Sequence, residues 1–344
     1  NKSCSSCHER NGKALVAPDG EALTRWVFKV AAEDGSPDPL IGSVLQPNNT
    51  GIDPKGGEGR VAIDHWETNS DGLRSPIYRF EKTPPARFSA RIAPHLVGLG
   101  LLEAINEADI LALEDVNDAN QDGISGKAQR INDPISGETR LGRFGWKAAT
   151  TSLEHQIAGA LNTDMGVMTS ILPLPDCGSL QTNCGNNSGA ELNDQHLEHL
   201  VKYIALLGVR ARRDLNDPTA LEGEQLFTDI GCAQCHQPTF VTSAHHPLAE
   251  LRSQTIHPYT DMLVHDMGPG LADNLGEGDA TGSEWRTTPL WGLGLTKGVS
   301  EGTGNEAKSG FGYLHDGRAR TIDEAIRWHG GEALASKTRY DQLT

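Results

Sequence analysis

The stretch Gly231-Cys-Ala-Gln-Cys-His236 contains two cysteines separated by two residues, with a histidine directly after the second. The same Cys-x-x-Cys-His pattern occurs near the start of the chain, in Cys4-Ser-Ser-Cys-His8. In such a motif both thiols add to the vinyl groups of a haem, and the histidine binds the haem iron. A redox-active dithiol and half of a zinc site are the competing interpretations, but neither motif has the further Cys or His at tight spacing that a zinc site needs. The motifs therefore predict two covalently bound haem c groups, attached at Cys4 and Cys7 with His8 on the iron, and at Cys232 and Cys235 with His236 on the iron.

The residues that lead into the second motif predict a helix. Asp217-Pro218 places a proline at a first helical position, where its missing N–H is not needed. A helix that runs into Gly-Cys-x-x-Cys-His is typical of class I cytochrome c domains. We therefore expect a boundary near residues 209–216, between an N-terminal haem domain of residues 1–210 and a C-terminal haem domain of residues 211–344.

A segment that follows the first motif is echoed after the second. Trp146-Lys-Ala-Ala-Thr-Thr-Ser-Leu-Glu-His-Gln156 aligns without gaps with His315-Asp-Gly-Arg-Ala-Arg-Thr-Ile-Asp-Glu-Ala325. This echo predicts two related haem domains that face each other across a pseudo-twofold axis. Apolar residues recur at helical spacing in residues 93–114, 152–161 and 194–207. The expected fold is therefore mostly α, with two cytochrome c-like haem domains related by pseudo-twofold symmetry and with long loop-rich insertions, the main one spanning residues 20–140.

The chain is strongly acidic, with a formal net charge of -16. Nucleic acids and anionic membranes are therefore poor partners. Charge favours a basic redox protein instead, such as a small cytochrome or a cupredoxin. No apolar run approaches the roughly eighteen residues of a membrane span.

Two of the six cysteines lie outside the haem motifs, Cys177 and Cys184. Their short separation predicts a disulfide, which would stabilise the fold by roughly 2–3 kcal/mol in the chain-entropy model. Disulfides and c-type haems both indicate an oxidising compartment, so we expect the protein to be periplasmic or otherwise exported. Because the sequence starts three residues before Cys4, we expect it to be a mature or trimmed form.

Each haem iron has a sixth coordination position to assign. Met267 lies in a loop rich in Gly and Pro after the second motif, and a thioether is a soft ligand that raises a haem potential. His265 is the competing ligand for the same iron. For the first iron His65 and His95 are candidates, and an open position is what peroxide chemistry requires.

An acidic stretch before Trp146 predicts a calcium site. In Asp118-Ala-Asn-Gln-Asp-Gly-Ile124, oxygen ligands stand at positions 1, 3 and 5 of an EF-hand-like loop and glycine at position 6. The ligands would be the side chains of Asp118, Asn120 and Asp122 and the carbonyl of Ile124. Position 12 is Gln129 instead of glutamate, so the full pattern fails, and an Asx-rich turn is the alternative.

Seven short motifs spread over most of the chain carry a family resemblance: Gly98-Leu-Gly-Leu-Leu-Glu-Ala104, Asp122-Gly-Ile-Ser-Gly126, Gly142-Arg-Phe-Gly-Trp-Lys-Ala148, Asp164-Met-Gly166, Leu263-Val-His-Asp-Met-Gly268, Glu284-Trp-Arg-Thr-Thr-Pro-Leu290 and Leu314-His-Asp-Gly-Arg-Ala319. With these motifs the chain resembles the di-haem oxidoreductases related to bacterial cytochrome c peroxidase and MauG, particularly a subgroup described as thiol oxidoreductase-like.

The resemblance implies roles for four residues. Trp146 falls on the tryptophan that stands between the haems in the peroxidases, so it is the implied electron bridge. Gln156 and Asp164 would line the distal peroxide pocket, and Met267 would be the sixth ligand of the second haem. Asp164 replaces a glutamate of the peroxidases and is one methylene shorter. The stretch before Trp146 is much longer than in the simple peroxidases, so their histidine ligand of the first haem is transferred to no residue.

The resulting prediction is a periplasmic di-haem c-type oxidoreductase that reduces hydrogen peroxide with electrons from a small redox protein. Electrons would enter at the C-terminal haem and cross Trp146, and Asp164 would move a proton between the peroxide oxygens. Two other functions stay open. One is a non-catalytic electron-transfer di-haem cytochrome with both irons six-coordinate. The other is a MauG-like or thiol-oxidising enzyme, whose substrate is a protein or a thiol.

Overall fold

The computed structural model describes residues 3–47, 57–181, 189–301 and 310–343. The structure is only 27% helical with 18% strand, and it consists of eight helices and small sheets. The predicted mostly α fold of two cytochrome c-like haem domains related by pseudo-twofold symmetry is therefore wrong. The 39 glycines and 18 prolines keep the helices short, and much of the expected loop-rich insertion is paired as strands.

The helices of the described ranges contain between five and twelve residues each, and none of them is long and apolar enough to cross a membrane. They are α1 Leu99–Glu103, α2 Glu107–Leu111, α3 Leu153–Gly159, α4 Asp194–Ala205, α5 Pro218–Asp229, α6 Leu293–Glu301, α7 Ile322–Arg327 and α8 Leu334–Asp341. Five short 3-10 turns occur as well, at Cys4–Ser6, Glu9–Asn11, Cys232–Gln234, Ala249–Leu251 and Gly331–Ala333, and a π-helical turn extends α3 over Ala160–Asp164.

Every sheet in the described ranges has two antiparallel strands. The pairs are β1 Val27–Ala31 with β4 Arg87–Arg91, β2 Val61–Thr68 with β3 Arg74–Phe80, β5 Arg130–Asn132 with β6 Thr139–Leu141, β7 Phe240–Val241 with β8 Thr255–Ile256, and β9 Val264–Asp266 with β10 Glu284–Arg286.

The strands β1 to β4 give the predicted insertion a core of its own. In β1 and β4, Val27 lies opposite Arg91 and Ala31 opposite Arg87, while β2 and β3 form a hairpin. Valine, isoleucine and aromatic residues pack well on such a pleated surface, which explains why this segment pairs instead of forming loops. Its buried apolar residues are Ala14, Val16, Leu23, Trp26, Phe28, Val30, Ile41, Leu45, Val61, Ile63, Ala90 and Ile92.

Two of the predicted helices are confirmed as single elements. Of the predicted helix at residues 194–207, Asp194–Ala205 form α4, which begins where the side chain of Asn193 accepts a hydrogen bond from the His196 N–H at 2.9 Å. The helix predicted after Asp217-Pro218 is α5, and Asp217 caps it in the same way. Residues 93–114 instead form the two short helices α1 and α2, and α1 starts only after Gly98, whose φ is 78°.

The sequence echo corresponds to a local structural repeat. The backbone of Phe144 is bridged to Thr150, and that of Tyr313 to Ala319, so each copy makes the same tight hairpin. The helix α3 begins at Leu153 and α7 at Ile322, and these positions are equivalent in the alignment.

The repeat also extends to caps and turns. The hydroxyls of Ser152 and Thr321 both accept a hydrogen bond from the third following residue's N–H, and so start the two helices alike. Inside the hairpins, Ala148 and Gly317 occupy equivalent positions with φ of 52° and 68°. The echoed residues therefore specify one backbone geometry twice.

Segments that are far apart in sequence meet at the centre of the molecule. Ile92, at the end of β4, donates its N–H to the carbonyl of His315 at 2.7 Å. Val16 is bridged to Gly310, and Lys127 to Val264. The predicted domain boundary near residues 209–216 is not tested by these contacts and stays a prediction.

Candidate functional site

Both motif histidines are held in the same way. The Nδ1–H of His8 donates to the carbonyl of Pro94 at 2.6 Å, and that of His236 donates to the carbonyl of Tyr259 at 2.9 Å. This bond fixes the tautomer and orients the ring, and it leaves Nε2 for a metal. Burial lowers the pKa of His8, and it lowers the pKa of His236 to about 4, so both rings are neutral and able to bind iron.

The backbone of the two motifs is also alike. The His8 N–H donates to the Cys4 carbonyl and the His236 N–H to the Cys232 carbonyl, each at 2.9 Å. One tight turn therefore carries two thiols and an imidazole in both places. His8 and His236 remain partly accessible, although burial lowers the pKa values of both rings. The residues present fit two haems.

A third histidine, His329, shares this arrangement and was missed by the sequence interpretation. Its Nδ1–H donates to the carbonyl of Ala325 at 2.7 Å, and burial lowers its pKa. His329 is close enough to His236 for their charges to interact, since it contributes to lowering the pKa of His236. The signal that could have revealed it is the repeated segment. When the gapless alignment is continued for four residues beyond Gln156 and Ala325, His329 is aligned with Ala160, which has no ligating atom.

The two ligands predicted from sequence have different surroundings. Met267 is half-buried directly after β9, and its N–H donates to the Ser283 carbonyl at 3.0 Å. His265 uses both ring nitrogens for carboxylates, Nδ1 with Glu332 at 2.7 Å and Nε2 with Asp261 at 2.8 Å. His265 is therefore engaged elsewhere, whereas Met267 stays a prediction.

His265 and its carboxylates form a buried charged cluster beside the second motif. Burial alone would lower the pKa of His265, but hydrogen bonds to Asp261, Cys235 and Glu332 raise it well above its ordinary value. The Cys235 sulfur lies 3.8 Å from Nδ1. One ligand atom from each of Cys235, Asp261 and His265 falls within 4.8 Å of the others. The cluster fixes the loop before Met267 against the second motif.

The two histidines considered for the first iron lie in different places. His65 is on the exposed face of the hairpin β2–β3, where its ring contacts Asp64 at 3.0 Å. His95 follows Pro94 and so lies beside His8. Burial, together with the charges of Lys13, Arg286 and His8, lowers the pKa of His95 to about 4.

Trp146 lies at the centre of an aromatic group. Its indole N–H donates to the Ile92 carbonyl at 2.9 Å, and its ring meets that of His315 edge-on, with the centroids 6.3 Å apart. On its other side His315 stacks against Trp285 at 3.8 Å between centroids. Burial lowers the pKa of His315 to about 3, so this ring is neutral. The arrangement holds Trp146 in one orientation between the two halves of the chain.

Gln156, Ala160 and Asp164 follow each other at intervals of one turn along α3 and its π-helical extension. The side-chain oxygen of Gln156 accepts from the Thr150 hydroxyl at 2.9 Å. Burial raises the pKa of Asp164 to about 6, and Asp164 in turn contributes to raising the pKa of Cys7. The structure thus brings Asp164 to the first haem motif, and π-helical turns often occur at functional sites.

The acidic loop forms a turn of the kind expected for either a calcium site or an Asx-rich turn. The carboxylate of Asp118 accepts from the N–H of Asp122 at 2.9 Å, and the side-chain oxygen of Asn120 accepts from the same N–H at 2.9 Å. Asp122 also accepts from the Gln234 side chain at 3.0 Å, so the loop contacts the second haem motif. The Ile124 N–H donates a hydrogen bond to the Asp122 carboxylate at 2.9 Å. Calcium at these residues stays a prediction.

The predicted disulfide involves Cys184, which lies outside the described residues. Pairing of Cys177 with Cys184 therefore stays a prediction.

Comparison with known proteins identifies the family. The family model described as "Di-haem oxidoreductase, putative peroxidase" matches residues 64–344. The chain therefore belongs to the di-haem oxidoreductases, whose name implies haem as the cofactor. No curated protein and no solved structure matches the chain significantly.

Proposed function

We propose that this chain is a periplasmic di-haem peroxidase that reduces hydrogen peroxide with electrons from a small basic redox protein. One observation carries the proposal: equivalent positions of the repeated segment hold His329 in one copy and Ala160 in the other. His329 would supply the sixth ligand of the second haem, with Met267 as the alternative, and Ala160, which has no ligating atom, would leave the equivalent position of the first haem accessible. An electron-transfer haem and a substrate-binding haem differ in this way.

The residues that would hold the haems follow from the two motifs. Cys4 and Cys7 would form the thioethers of the first haem, and Cys232 and Cys235 those of the second. His8 and His236 would bind the irons through Nε2, because Nδ1 is held by a carbonyl in both. A bound haem supplies the one-electron chemistry of its iron, and the protein sets ligation and proton delivery.

Three side chains would act on peroxide or on electrons. Asp164, with its pKa raised to about 6, would take a proton from one peroxide oxygen and return it to the other. Gln156, on the same helical face, would position the peroxide. Trp146 would pass electrons between the halves of the chain, since it is fixed by Ile92 and His315.

Charge and chemistry support the proposed partner and compartment. A net charge of -16 attracts a basic donor such as a small cytochrome or a cupredoxin. Attachment of haem to cysteine and the predicted disulfide favour an oxidising compartment.

The test exchanges the two equivalent residues. Carbon monoxide is added to the fully reduced protein, and the number of haems that bind it is compared with the total haem content. We expect one of two haems to react in the wild type, both in His329→Gly, and neither in Ala160→His. Full closure of the wild type to carbon monoxide would instead establish an electron-transfer cytochrome. An open haem that consumes thiols but no peroxide would establish the thiol-oxidising enzyme.

A further inference from the structure

Arg286 is a buried cation that lacks an acidic partner. Its Nε donates to the Gly145 carbonyl at 2.9 Å, and Nη1 donates to the Thr287 carbonyl at 3.2 Å and lies 3.9 Å from the Met262 sulfur. Within the described ranges no carboxylate forms an ion pair with it. Two carbonyls satisfy some of its donors. The nearby charge of Asp261 acts on Arg286, but that carboxylate is already hydrogen-bonded to His265 at 2.8 Å. The positive charge is therefore only partly compensated, and a buried charge is costly unless it is paired.

Four other buried cations of the described ranges are compensated differently. Arg91 pairs with Glu277, and Arg318 pairs with Asp316 at 2.7 Å. Lys147, fully buried, has Asp273 at 3.8 Å. Arg143 donates to the Leu102 and Ile105 carbonyls at the end of α1, where the helix dipole favours a cation. Arg286 has neither an ion-paired acid nor a helix end, and Asp261 is shared with His265, so a further acidic group would complete the compensation of its charge.

The position of Arg286 indicates what that group is. Its backbone N–H donates to the Trp146 carbonyl at 2.8 Å, which places it beside the proposed electron bridge. On one side its charge contributes to lowering the pKa of His95, which lies beside His8. On the other side it contacts Met262, which follows Asp261 of the cluster beside Cys235. Arg286 therefore lies between the two haem motifs.

The Arg286 side chain is not fully enclosed. Burial lowers the pKa of Arg286 to about 10, yet part of its surface remains accessible. The same holds for His8, His236 and His329, whose pKa values are lowered by burial although the residues are partly accessible.

We propose that Arg286 binds a carboxylate, namely a propionate group of one of the two haems. The inference rests on the haem binding proposed above and adds a binding site for the acidic edge of the cofactor. A guanidinium presents several donors in a planar fork that matches a carboxylate, and the pair would complete the compensation of the Arg286 charge. Because Arg286 is bonded to Gly145 and Trp146, the same contact would fix that haem edge against the electron bridge.

The test uses three purified holoprotein variants. Arg286→Met removes the charge and the donors, whereas Arg286→Lys keeps the charge but loses the fork. Arg143→Lys is the matched control, because Arg143 is another buried arginine and donates to the carbonyls of Leu102 and Ile105. Haem content is first determined as pyridine haemochrome. Propionate bending bands are then recorded by resonance Raman spectroscopy, and the potential of each haem by spectroelectrochemistry.

We expect Arg286→Lys to shift the propionate band of one haem, and Arg143→Lys to shift none. Arg286→Met should shift the equilibrium of that haem about tenfold towards the ferric form, which lowers its reduction potential by about 59 mV for a one-electron couple. Unchanged bands and potentials in both Arg286 variants, with two haems bound, would overturn the proposal. If Arg286→Met does not fold, the band in Arg286→Lys decides. A wild type without covalent haem would overturn the proposed function itself, and this proposal with it.

Discussion

The rings of Trp146 and His315, which are aligned with each other in the repeated segment, meet edge to face with their centroids 6.3 Å apart and their planes at 73°. Such a contact is within the favoured range for aromatic pairs. The backbone of Ile92 joins the two residues, because it accepts from the Trp146 indole and donates to the His315 carbonyl. Equivalent residues of the two segments are thus brought together at the centre of the fold.

Replacement of Trp146 by phenylalanine is expected to slow electron transfer between the haems. The change keeps an aromatic ring against His315 but removes the hydrogen bond to Ile92, which costs about 1 kcal/mol of stability. Stopped-flow reduction of the oxidised holoprotein measures the transfer. Trp285→Phe is the control, since it loses a similar bond to the Leu271 carbonyl. Equal slowing in both variants would contradict a special role for Trp146.

Asp164→Asn is expected to slow peroxide consumption at least about tenfold at neutral pH. Asp164 must be ionised to accept a proton, so the wild-type rate should rise with pH through about 6, the pKa to which burial raises this carboxyl. In the variant the rate should no longer rise with pH in this range, while both haem spectra stay unchanged. A variant whose rate still rises through about pH 6 would exclude Asp164 as the group that titrates.

The same carboxyl predicts a pH dependence of stability. Its pKa is higher in the folded than in the unfolded protein, so the unfolded chain ionises first and stability falls as pH rises from about 4 to about 6. Asparagine resembles the protonated acid and avoids this loss. Thermal unfolding should therefore show Asp164→Asn more stable than wild type at pH 8, with a smaller difference at pH 4. A constant difference across this range would contradict the burial effect.

His329→Met is expected to raise the potential of the second haem, because a thioether ligand favours ferrous iron more than imidazole does. If His329 rather than Met267 is the sixth ligand, Met267→Leu should leave the spectrum and the potential of that haem unchanged. Spectroelectrochemistry of both variants measures the effect. Loss of a thioether–iron charge-transfer band in Met267→Leu would return the assignment to Met267.

Asp122→Ala is expected to abolish calcium binding by the acidic loop. Asp122 also accepts from Gln234 in the second motif, so chelation of calcium should change the spectrum of the second haem. Calorimetric titration with calcium measures the binding. Asp115→Ala is the control, because Asp115 caps the preceding turn by accepting from the Ala119 N–H but lies outside the ligand pattern. Equal calcium affinity in Asp122→Ala and wild type would remove the site from this loop.

Lys147→Met is expected to destabilise the fold by about 3–5 kcal/mol, as for a broken buried ion pair. The Lys147 ammonium donates to the carbonyls of Thr281, Gly282 and Glu284 at 2.7, 3.1 and 2.9 Å, and all three would lose a donor. Chemical denaturation gives the difference. Lys127→Met, which loses a partly exposed ion pair with Glu284, should cost less than about 1 kcal/mol.

Local signals in the sequence predicted several elements correctly. Asn193 and Asp217 each cap a helix because a short polar side chain reaches the N–H groups of the first turn, and this depends on neighbouring residues alone. The Cys-x-x-Cys-His motifs likewise specify a tight turn without help from the rest of the chain.

The fold class was wrong because strand pairing depends on distant residues. Val27 finds its partner Arg91 only 64 residues further along the chain, and no local pattern specifies that pairing. His329 was missed for another reason: only Met267 and His265, in the loop that contains the soft thioether ligand, were considered for the second iron. The alignment of His329 with Ala160 was already present in the sequence, but its meaning depends on the carbonyl of Ala325 and the nearness of His236.

The double contact of Ile92 limits how this protein can be shortened. A minimal version made by deleting residues 20–92 would discard the strands β1 to β4. It would also remove Ile92, the only residue in the described ranges whose backbone is hydrogen-bonded to both the Trp146 indole and the backbone of His315. The tryptophan would then be able to rotate. This β-rich segment therefore fixes the orientation of Trp146, the proposed electron bridge, and should be retained in any truncated design.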